Sequence, residues 1–222
     1  MTALLSGSDA FDAAFATDHG DSCVAVADDG SVRRFPVDRW VAEADATDLE
    51  LFVRPCARPT IDIGCGPGRL TAALVARGLI AFGIDVSTAA VLHARRRGAP
   101  ARQLDVFDRV PAQGRWQHAL LADGNIGIGG EPVRLLRRVR EIITTDGTVL
   151  VEVSPRGDGL RRGTVRLRVD GVLRSPFEWA HVGADMIAGL AARAGLQLDR
   201  VTVHGRRHVA VLSPASGTAR CY

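Results

Sequence analysis

The sequence lacks lysine altogether and has few aromatic residues. All 28 basic residues are arginine, and aromatic side chains make up only 5% of the 222 residues. A Walker P-loop, a pyridoxal enzyme and a protein kinase each need a lysine for phosphate binding or catalysis. The absence of lysine therefore excludes these three classes of enzyme.

Long apolar runs and paired cysteines are missing as well. No stretch approaches the roughly 18 apolar residues of a membrane helix, and residues 1–12 contain no basic residue, unlike a signal peptide. The four cysteines are scattered without a Cys-x-x-Cys pair, which predicts neither a zinc site nor a disulfide framework. We expect a cytoplasmic protein that binds no metal and no membrane.

Charge is distributed unevenly along the chain. Residues 1–50 contain 11 acidic and 3 basic residues, whereas the remainder contains 14 acidic and 25 basic residues. The two parts can attract each other, an acidic surface can recruit a cationic substrate, or the charges can simply be solvated. The arginines at 95–97 and 137–140 lie on predicted outward helix faces, so nucleic acid is not an expected partner. Only the arginine cluster at 161–168 is placed where a phosphate-bearing substrate would reach it.

From residue 59 onward, apolar periodicity predicts an α/β fold. Short β-branched runs alternate with stretches of helical spacing, which is typical of βαβ units on a parallel sheet. We expect seven strands in a mostly parallel sheet with helices on both faces and an antiparallel last strand. Strands are predicted at 60–64, 79–84, 101–104, 116–122, 148–153, 197–204 and 207–213, and helices at 70–77, 87–97, 131–143 and 186–194, with Ser87 as an N-cap and a turn at Asp146-Gly147.

Two further segments predict additions to this sheet. Between 154 and 182, apolar residues alternate with arginines around an Asp170-Gly171 turn, which indicates an antiparallel insertion. The first 58 residues predict a hairpin at 28–30 and short amphipathic helices at 38–44 and 48–53. The sequence thus predicts an N-terminal cap, 1–58, over the ligand edge of a binding domain, 59–222.

Residues 61–70, IDIGCGPGRL, carry the strongest chemical signal, because a strand runs into a glycine turn that opens a helix. Glycines let the backbone turn tightly and approach a ligand, and the helix N-terminus offers free N–H donors. A dinucleotide fingerprint would have its third glycine where Arg69 stands, which disfavours an NAD(P)-dependent oxidoreductase. The spacing is Gly-x-Gly-x-Gly instead.

This segment resembles the first motif of the class I S-adenosylmethionine-dependent methyltransferases, an acidic residue followed by Gly-x-Gly-x-Gly. The resemblance covers about residues 58–213 and implies a Rossmann-like fold that binds S-adenosyl-L-methionine and releases S-adenosyl-L-homocysteine. Acids at successive strand ends agree with it, because such ends converge on the ligand crevice of an open α/β sheet.

The resemblance also implies roles for individual residues. Asp85 ends the second strand, where a carboxylate can accept both ribose hydroxyls. Asp105 and the Val106 backbone are implied to meet the adenine, and Asp123 to lie near the transferred methyl group. The predicted cofactor-binding residues are Asp62, Gly64, Cys65, Gly66, Gly68, Asp85, Val86, Asp105, Val106 and Asp123.

Catalysis needs few groups, because the methyl of a sulfonium is already activated and the protein mainly aligns the acceptor. Where the acceptor must lose a proton, Asp123, His181 and His19 are candidate bases, of which Asp123 and His181 are our predicted catalytic residues. A lone histidine beside aromatics, as at His181, is more often a packed or surface residue. Arg39 and Trp40 of the cap are placed to close over the cofactor's carboxylate, although Trp40 is equally consistent with helix packing.

Residues 123–130, DGNIGIGG, depart from the Asn/Asp-Pro-Pro-aromatic motif of DNA amino-methyltransferases, which argues against a nucleobase amine as acceptor. Their four glycines indicate either close backbone packing or a flexible loop. We expect O- or N-methylation of a small molecule. The alternatives are a methyltransferase-like binding protein without activity and, less favoured, an NAD(P)-dependent oxidoreductase. The sequence fixes neither the acceptor atom nor the oligomeric state.

Overall fold

The computed structural model describes residues 7–16 and 23–215, which form two β-sheets and the helices packed on them. The helices are α1 Ser8–Phe15, α2 Val37–Val41, α3 Ala46–Asp48, α4 Arg69–Ala76, α5 Thr88–Arg96, α6 Pro132–Ile142 and α7 Ile187–Arg193, with a π-helical turn at Leu49–Val53 and a 3-10 turn at Asn125–Gly127. The strands are β1 Cys23–Ala27, β2 Val32–Arg34, β3 Thr60–Ile63, β4 Ala81–Asp85, β5 Ala101–Gln103, β6 Trp116–Leu121, β7 Ile143–Val153, β8 Leu160–Val169, β9 Val172–Leu173, β10 Phe177–Val182, β11 Leu196–His204 and β12 Arg207–Pro214. None of the helices in these ranges has the length and apolarity to cross a membrane.

The larger sheet, which we call the main sheet, has seven strands in the order β11-β12-β7-β6-β3-β4-β5. β3 to β7 pair in parallel, and β12 pairs antiparallel with both β7 and β11. The predicted α/β fold, a mostly parallel sheet whose last strand is antiparallel, is confirmed. All parallel strands therefore end at one edge, which is where a ligand binds in such sheets.

Side chains of the central strands alternate between two apolar layers, as they must in a sheet that is covered on both faces. Leu121 and Val151 pack with α6 and α7 on one face. Leu120 and Leu150 pack with α4 and the π-helical turn on the other face. The helices therefore cover both faces of the main sheet, as predicted.

The predicted turn at Asp146-Gly147 is wrong, because both residues lie within β7. This strand begins at Ile143, directly after α6, and residues 144–147 bulge out between two pairs: Ile143 lies opposite Trp116, and Thr148 opposite His118. A bulge places extra residues in one strand while pairing continues beyond them. The predicted helix at 48–53 is also corrected, since only a π-helical turn follows α3 there.

The smaller sheet, which we call the cap sheet, combines the N-terminal hairpin with the insertion in the order β10-β8-β1-β2, with β9 paired to β8. Both predicted hairpins are present. Asp170 and Gly171 have φ of 50° and 78°, the positive values of a type I′ turn. The two predicted additions are thus parts of one sheet.

β10 fixes the cap sheet to the carboxyl edge of the main sheet. The carbonyl of Val182 accepts a hydrogen bond from the N–H of Ser154, directly after β7, at 2.8 Å. A Cβ at Gly127 would lie 2.1 Å from the carbonyl oxygen of Ala180, so this position of the loop after β6 admits only glycine. The glycines of residues 123–130 therefore include one that is required for close packing against β10.

Candidate active site

The glycine loop between β3 and α4 has the shape that its sequence predicts. Gly64, Gly66 and Gly68 have φ of 70°, 54° and 80°, values that glycine adopts without steric cost. The N–H groups of Gly64 and Cys65 donate to the carbonyl of Ile84 at 2.9 and 3.0 Å, which ties the loop to the end of β4. The loop thus lies at the carboxyl edge of the main sheet.

Asp85 connects this loop to the start of α5. Its carboxylate accepts hydrogen bonds from the N–H of Gly66 at 2.8 Å and of Ser87 at 2.9 Å. Burial raises the pKa of Asp85, and these N–H donors oppose that rise. Ser87 accepts from the N–H of Ala90 at 3.0 Å, so the predicted N-cap is confirmed.

A group of six charged residues, which we call the charge cluster, lies beside the loop: Asp48, Asp123, Glu152, Arg39, Arg69 and Arg207. Asp48 is its centre, and its side chain is only 1% exposed. Its carboxylate lies 3.2 Å from Arg69 Nε, 2.6 Å from Arg207 Nη1 and 3.4 Å from Arg39 Nη2. Three acids and three arginines balance in formal charge, which is the condition for burying them together.

Asp123 joins the charge cluster to the end of β6. Its φ is 52°, and its Oδ2 lies 2.7 Å from Arg69 Nη2. Its N–H donates to Glu152 at 2.7 Å, and Glu152 accepts two hydrogen bonds from Arg207 at 2.7 and 2.9 Å. Burial and the charge of Glu152 raise the pKa of Asp123, whereas the arginines lower it. Although burial opposes ionisation, the bonds and charge of Arg207 lower the pKa of Glu152.

Helix α1 covers the glycine loop. Asp12 accepts hydrogen bonds from the hydroxyl of Ser87 at 2.7 Å and from the N–H of Ala89 at 2.9 Å. A Cβ at Gly66 would meet the ring of Phe15 at 3.9 Å. Helix α1 therefore lies over the start of α5 and next to the glycine loop.

Residues 61–151 match the model of a protein family described as a methyltransferase domain. These residues form a methyltransferase domain. The matched residues contain the glycine loop, Asp85 and Asp123, three of the features that the sequence predicted. No curated protein sequence matches the chain significantly.

Solved structures show that the whole chain, cap included, has relatives in fold. An S-adenosylmethionine-dependent methyltransferase from Bacteroides fragilis, in complex with S-adenosyl-L-homocysteine, has 20% identity and a TM-score of 0.79, over 96% of this chain and 98% of that chain. A 1,6-didemethyltoxoflavin N1-methyltransferase from Burkholderia thailandensis has 17% identity and a TM-score of 0.59, over 81% of this chain and 82% of that chain. A sugar N-methyltransferase from Streptoalloteichus has 20% identity and a TM-score of 0.54, over 73% and 82%.

The polar groups at this edge of the main sheet suit S-adenosylmethionine, the cofactor that the resemblance implies. Five buried side-chain nitrogen or oxygen atoms among the described residues have no hydrogen bond, and three of them are Trp40 Nε1, Arg69 Nε and Asp123 Oδ1. Two of these atoms are donors and one is an acceptor, a combination that suits an amino-acid zwitterion such as the methionine end of S-adenosylmethionine. The predicted cap residue Arg39 lies at this point, 3.7 Å from Asp123 Oδ1.

Other predicted cofactor residues are engaged within the protein. Asp105 Oδ1 accepts from the N–H of Phe107 at 2.9 Å, and the carbonyl of Val106 accepts from Arg138 Nε at 2.8 Å. The carbonyl of Val86 accepts from the side chain of Gln103 at 3.0 Å. The contact of the Val106 backbone with adenine stays a prediction.

The two predicted catalytic residues are not in direct contact. His181 lies on β10, and no hydrogen bond in the described ranges joins it to Asp123. Burial and the charges of Arg33 and Arg161 lower the pKa of His181, so the imidazole is mostly neutral at neutral pH. The third candidate base, His19, lies outside the described residues.

Sequence reasoning missed four members of the charge cluster: Asp48, Arg69, Glu152 and Arg207. Glu152 had a signal, since a carboxylate in the otherwise apolar run 148–153 requires a partner when that strand is buried. The local sequence singles out Arg69 only as the residue that stands where a dinucleotide fingerprint has its third glycine. Nothing local to Asp48 or Arg207 indicates that they meet, because they are far apart in the chain.

The buried Asp62 gives a prediction for the pH dependence of stability. Desolvation raises its pKa from 3.8 to about 6, despite a 2.8 Å hydrogen bond from Thr71. A raised folded-state pKa means that the ionised group opposes folding. This cost is absent below the unfolded pKa and fully present above the folded pKa, where it amounts to about 3 kcal/mol. We expect Asp62→Asn to be more stable than wild type at pH 7.5, by an amount that shrinks toward pH 4.5.

Urea unfolding of both proteins between pH 4.5 and 7.5 measures this difference. Asp108→Asn serves as control, because Asp108 is exposed. A stability difference for Asp62→Asn that stays constant across the range would contradict the assignment of a buried, ionised carboxylate.

Proposed function

We propose that this methyltransferase transfers the methyl group of S-adenosylmethionine to an oxygen or nitrogen atom of a small-molecule acceptor. The single observation that carries the proposal is the glycine loop, which lies at the same edge of the main sheet as the charge cluster. Its glycines have positive φ values, and the carboxylate of Asp85 accepts a hydrogen bond from the N–H of Gly66 at 2.8 Å. The matched family supports transfer of a methyl group as the reaction.

The charge cluster would hold the amino-acid end of the cofactor. Arg39 and Arg69 would bind its carboxylate, because guanidinium groups pair well with carboxylates. Asp123 would bind its ammonium, and Asp85 its ribose hydroxyls. When bound, S-adenosylmethionine supplies an electrophilic methyl group on a sulfonium sulfur.

The remaining work of the protein is to orient the acceptor and exclude water. Helix α1 and the aromatic side chains that pack with it would cover this edge of the main sheet. Among them are Phe35 and Trp40, whose ring centroids lie 4.5 Å apart. His181 or Asp123 would accept a proton where the acceptor must lose one.

A small acceptor is supported by the way the cap sheet encloses this edge. The similar enzymes from Burkholderia and Streptoalloteichus are described as acting on 1,6-didemethyltoxoflavin and on a sugar. Arginines outside the site are used within the fold. Arg138 binds the carbonyls of Val106 and Asp108, and Arg97 binds those of Val41 and Ala42. These bonds support our expectation that nucleic acid is not a partner.

Calorimetric titration with S-adenosylmethionine, S-adenosylhomocysteine and NADH tests the cofactor assignment. We expect the first two to bind and Asp85→Ala to weaken their binding at least tenfold, consistent with lost charge-assisted hydrogen bonds of about 1.5 to 3 kcal/mol. Asp108→Ala, which removes an exposed acid, should bind like wild type. Thermal unfolding of each variant separates lost binding from lost structure, because Asp85 also caps the backbone.

The outcomes of this titration are distinct. Unchanged affinity in a folded Asp85→Ala variant would disprove the ribose assignment, and binding of NADH alone would overturn the proposed cofactor. Cofactor binding without turnover across an acceptor panel would indicate the alternative, a methyltransferase-like binding protein.

A further inference from the structure

Asp48 is buried behind the arginines of the charge cluster. Its side chain is 1% exposed, compared with 14% for Asp123 and 35% for Arg39. Asp123, like Asp48, contacts all three arginines, at 2.7 Å from Arg69, 3.7 Å from Arg39 and 3.9 Å from Arg207. The arginines thus bridge a buried acid, which no ligand can reach, and a more exposed acid.

The start of α3 fixes the carboxylate of Asp48. The N–H of Asp48 donates to Oδ1 of Asp45 at 2.7 Å, and the N–H of Asp45 donates to Oδ2 of Asp48 at 3.3 Å. This reciprocal pair of hydrogen bonds is a capping box. Because the side chain is bound to the backbone of its own helix, its carboxylate is a fixed point for the guanidinium groups around it.

Arg69 is oriented by the two acids together. Its Nε lies 3.2 Å from Oδ2 of Asp48, and its Nη2 lies 3.2 Å from Oδ1 of the same carboxylate. The same Nη2 donates to Asp123 at 2.7 Å. Among the described residues, no hydrogen bond or ion pair uses Nη1 of Arg69, so this nitrogen is left for a ligand.

Arg39 is held less tightly, and its position depends on Asp48. Its Nη2 lies 3.4 Å from Asp48 and its Nη1 lies 3.7 Å from Asp123. Both distances exceed the roughly 2.7 to 2.9 Å of a strong charged hydrogen bond. Without Asp48, the described acids would leave Arg39 only the longer of its two ion pairs. The side chain would then be free to turn away from the cluster.

We propose that Asp48 is a positioning residue, which holds Arg39 and Arg69 ready for the carboxylate of S-adenosylmethionine without touching that ligand. This inference rests on the proposed function, which assigns the carboxylate to these arginines and the ammonium to Asp123. When Asp123 binds the ammonium, Asp48 remains as the counter-ion of the arginines. Guanidinium groups that are ordered in advance lose less conformational entropy when the carboxylate binds.

The charge of Asp48 by itself has the opposite effect on binding of that carboxylate. A negative charge beside the site repels an incoming carboxylate, so removing the charge while the arginines stay in place would strengthen binding. Loss of a positioning residue frees the guanidinium groups and weakens binding instead. The sign of the change therefore distinguishes the two roles of Asp48.

Calorimetric titration of wild type and Asp48→Asn with two ligands tests the proposal. The ligands are S-adenosylmethionine and decarboxylated S-adenosylmethionine, which lacks only the carboxylate. We expect Asp48→Asn to weaken binding of the first by about tenfold or more and of the second by less than about threefold. Equal losses for both ligands would indicate a structural role, and unchanged or tighter binding of S-adenosylmethionine would indicate an effect of charge alone. Either result overturns the proposal.

Asp38→Asn is the matched control for this titration. Asp38 is exposed, stands next to Arg39 in α2 and pairs with Arg34 rather than with the charge cluster. The variant removes one negative charge close to Arg39 and should bind both ligands like wild type. Thermal unfolding of each variant shows whether it is folded under the conditions of the titration.

Asp45→Ala tests the same proposal where Asp48→Asn does not fold. It removes the exposed side chain that accepts the N–H of Asp48, and it leaves the carboxylate of Asp48 in place. We expect binding of S-adenosylmethionine to weaken by about two- to fivefold and binding of the decarboxylated ligand to stay unchanged. Unchanged or tighter binding of S-adenosylmethionine by Asp45→Ala would overturn the proposal.

The wild type keeps this inference separate from the proposed function. A wild type that binds neither ligand would defeat the proposed function. A wild type that binds both ligands equally well would show that the arginines do not bind the carboxylate, which defeats the positioning role while the cofactor assignment stands.

Discussion

Replacing Arg69 by methionine is expected to lower the free energy of unfolding by about 3 to 5 kcal/mol. Arg69 is only 4% exposed and contacts the carboxylates of Asp48 and Asp123. Removing it leaves two buried acids with one counter-ion fewer, and an uncompensated buried charge is among the most costly changes in a protein interior. Urea unfolding at pH 7.5 measures the loss.

Arg96→Met is the control for this change, because Arg96 is exposed on α5 and should cost less than about 0.5 kcal/mol. A double-mutant cycle with Asp123→Asn isolates the pair. We expect the change in stability of the double variant to differ from the sum of the two single changes by about 1 to 3 kcal/mol. Additive losses would mean that Arg69 and Asp123 do not depend on each other.

Substitution of Gly68 by alanine is expected to destabilise the protein by about 2 to 5 kcal/mol, the sum of two effects. Gly68 has φ of 80°, a conformation that costs an alanine about 1 to 2 kcal/mol. Its added Cβ would also lie 2.7 Å from the Cβ of Ala94 and 3.0 Å from that of Ala99. Overpacking of this kind costs about 1 to 3 kcal/mol more, because α5 must move.

Gly78→Ala separates these two effects, since Gly78 has φ of 76° but no atom within 4 Å of an added Cβ. It should lose only the backbone part, about 1 to 2 kcal/mol. Thermal or urea unfolding of both variants gives the comparison. Equal losses would show that α5 yields to the extra methyl group without cost.

The parts of the fold that sequence predicts are those where a local pattern decides the structure. The apolar stripe of 131–143 predicts α6 to within a residue at each end. The Gly-x-Gly-x-Gly spacing predicts the loop at 64–68, because only glycine adopts its φ values readily. The prediction of a turn at Asp146-Gly147 is wrong for the opposite reason, because non-local pairing decides the structure there. β7 pairs with β6 both before and after these residues, which therefore form a bulge within the strand.

The candidate site divides in the same way. Asp85 and Asp123 follow strands, so the parallel topology alone brings them to one edge. Asp48 and Arg207 meet only because α3 and β12, from different parts of the chain, pack at the same place, and no local signal encodes that contact. The same applies to the cap sheet, in which the residue-58 boundary of the proposed cap separates strands that pair, β1 and β8.

The pairing of β1 with β8 has a consequence for the order of events during synthesis. Cys23 of β1 cannot pair until its partner in β8, Val169, has been synthesised. At translation rates of about 5 to 20 residues per second, the time between the synthesis of these two residues is on the order of 10 s. A two-stranded hairpin is barely stable alone, so β1 and β2 emerge early and remain without a sheet while β3 to β7 are made. The cap sheet is therefore expected to assemble only after β3 to β7 have been made, and a nascent chain stopped before β8 would present the edge of β1 to a chaperone.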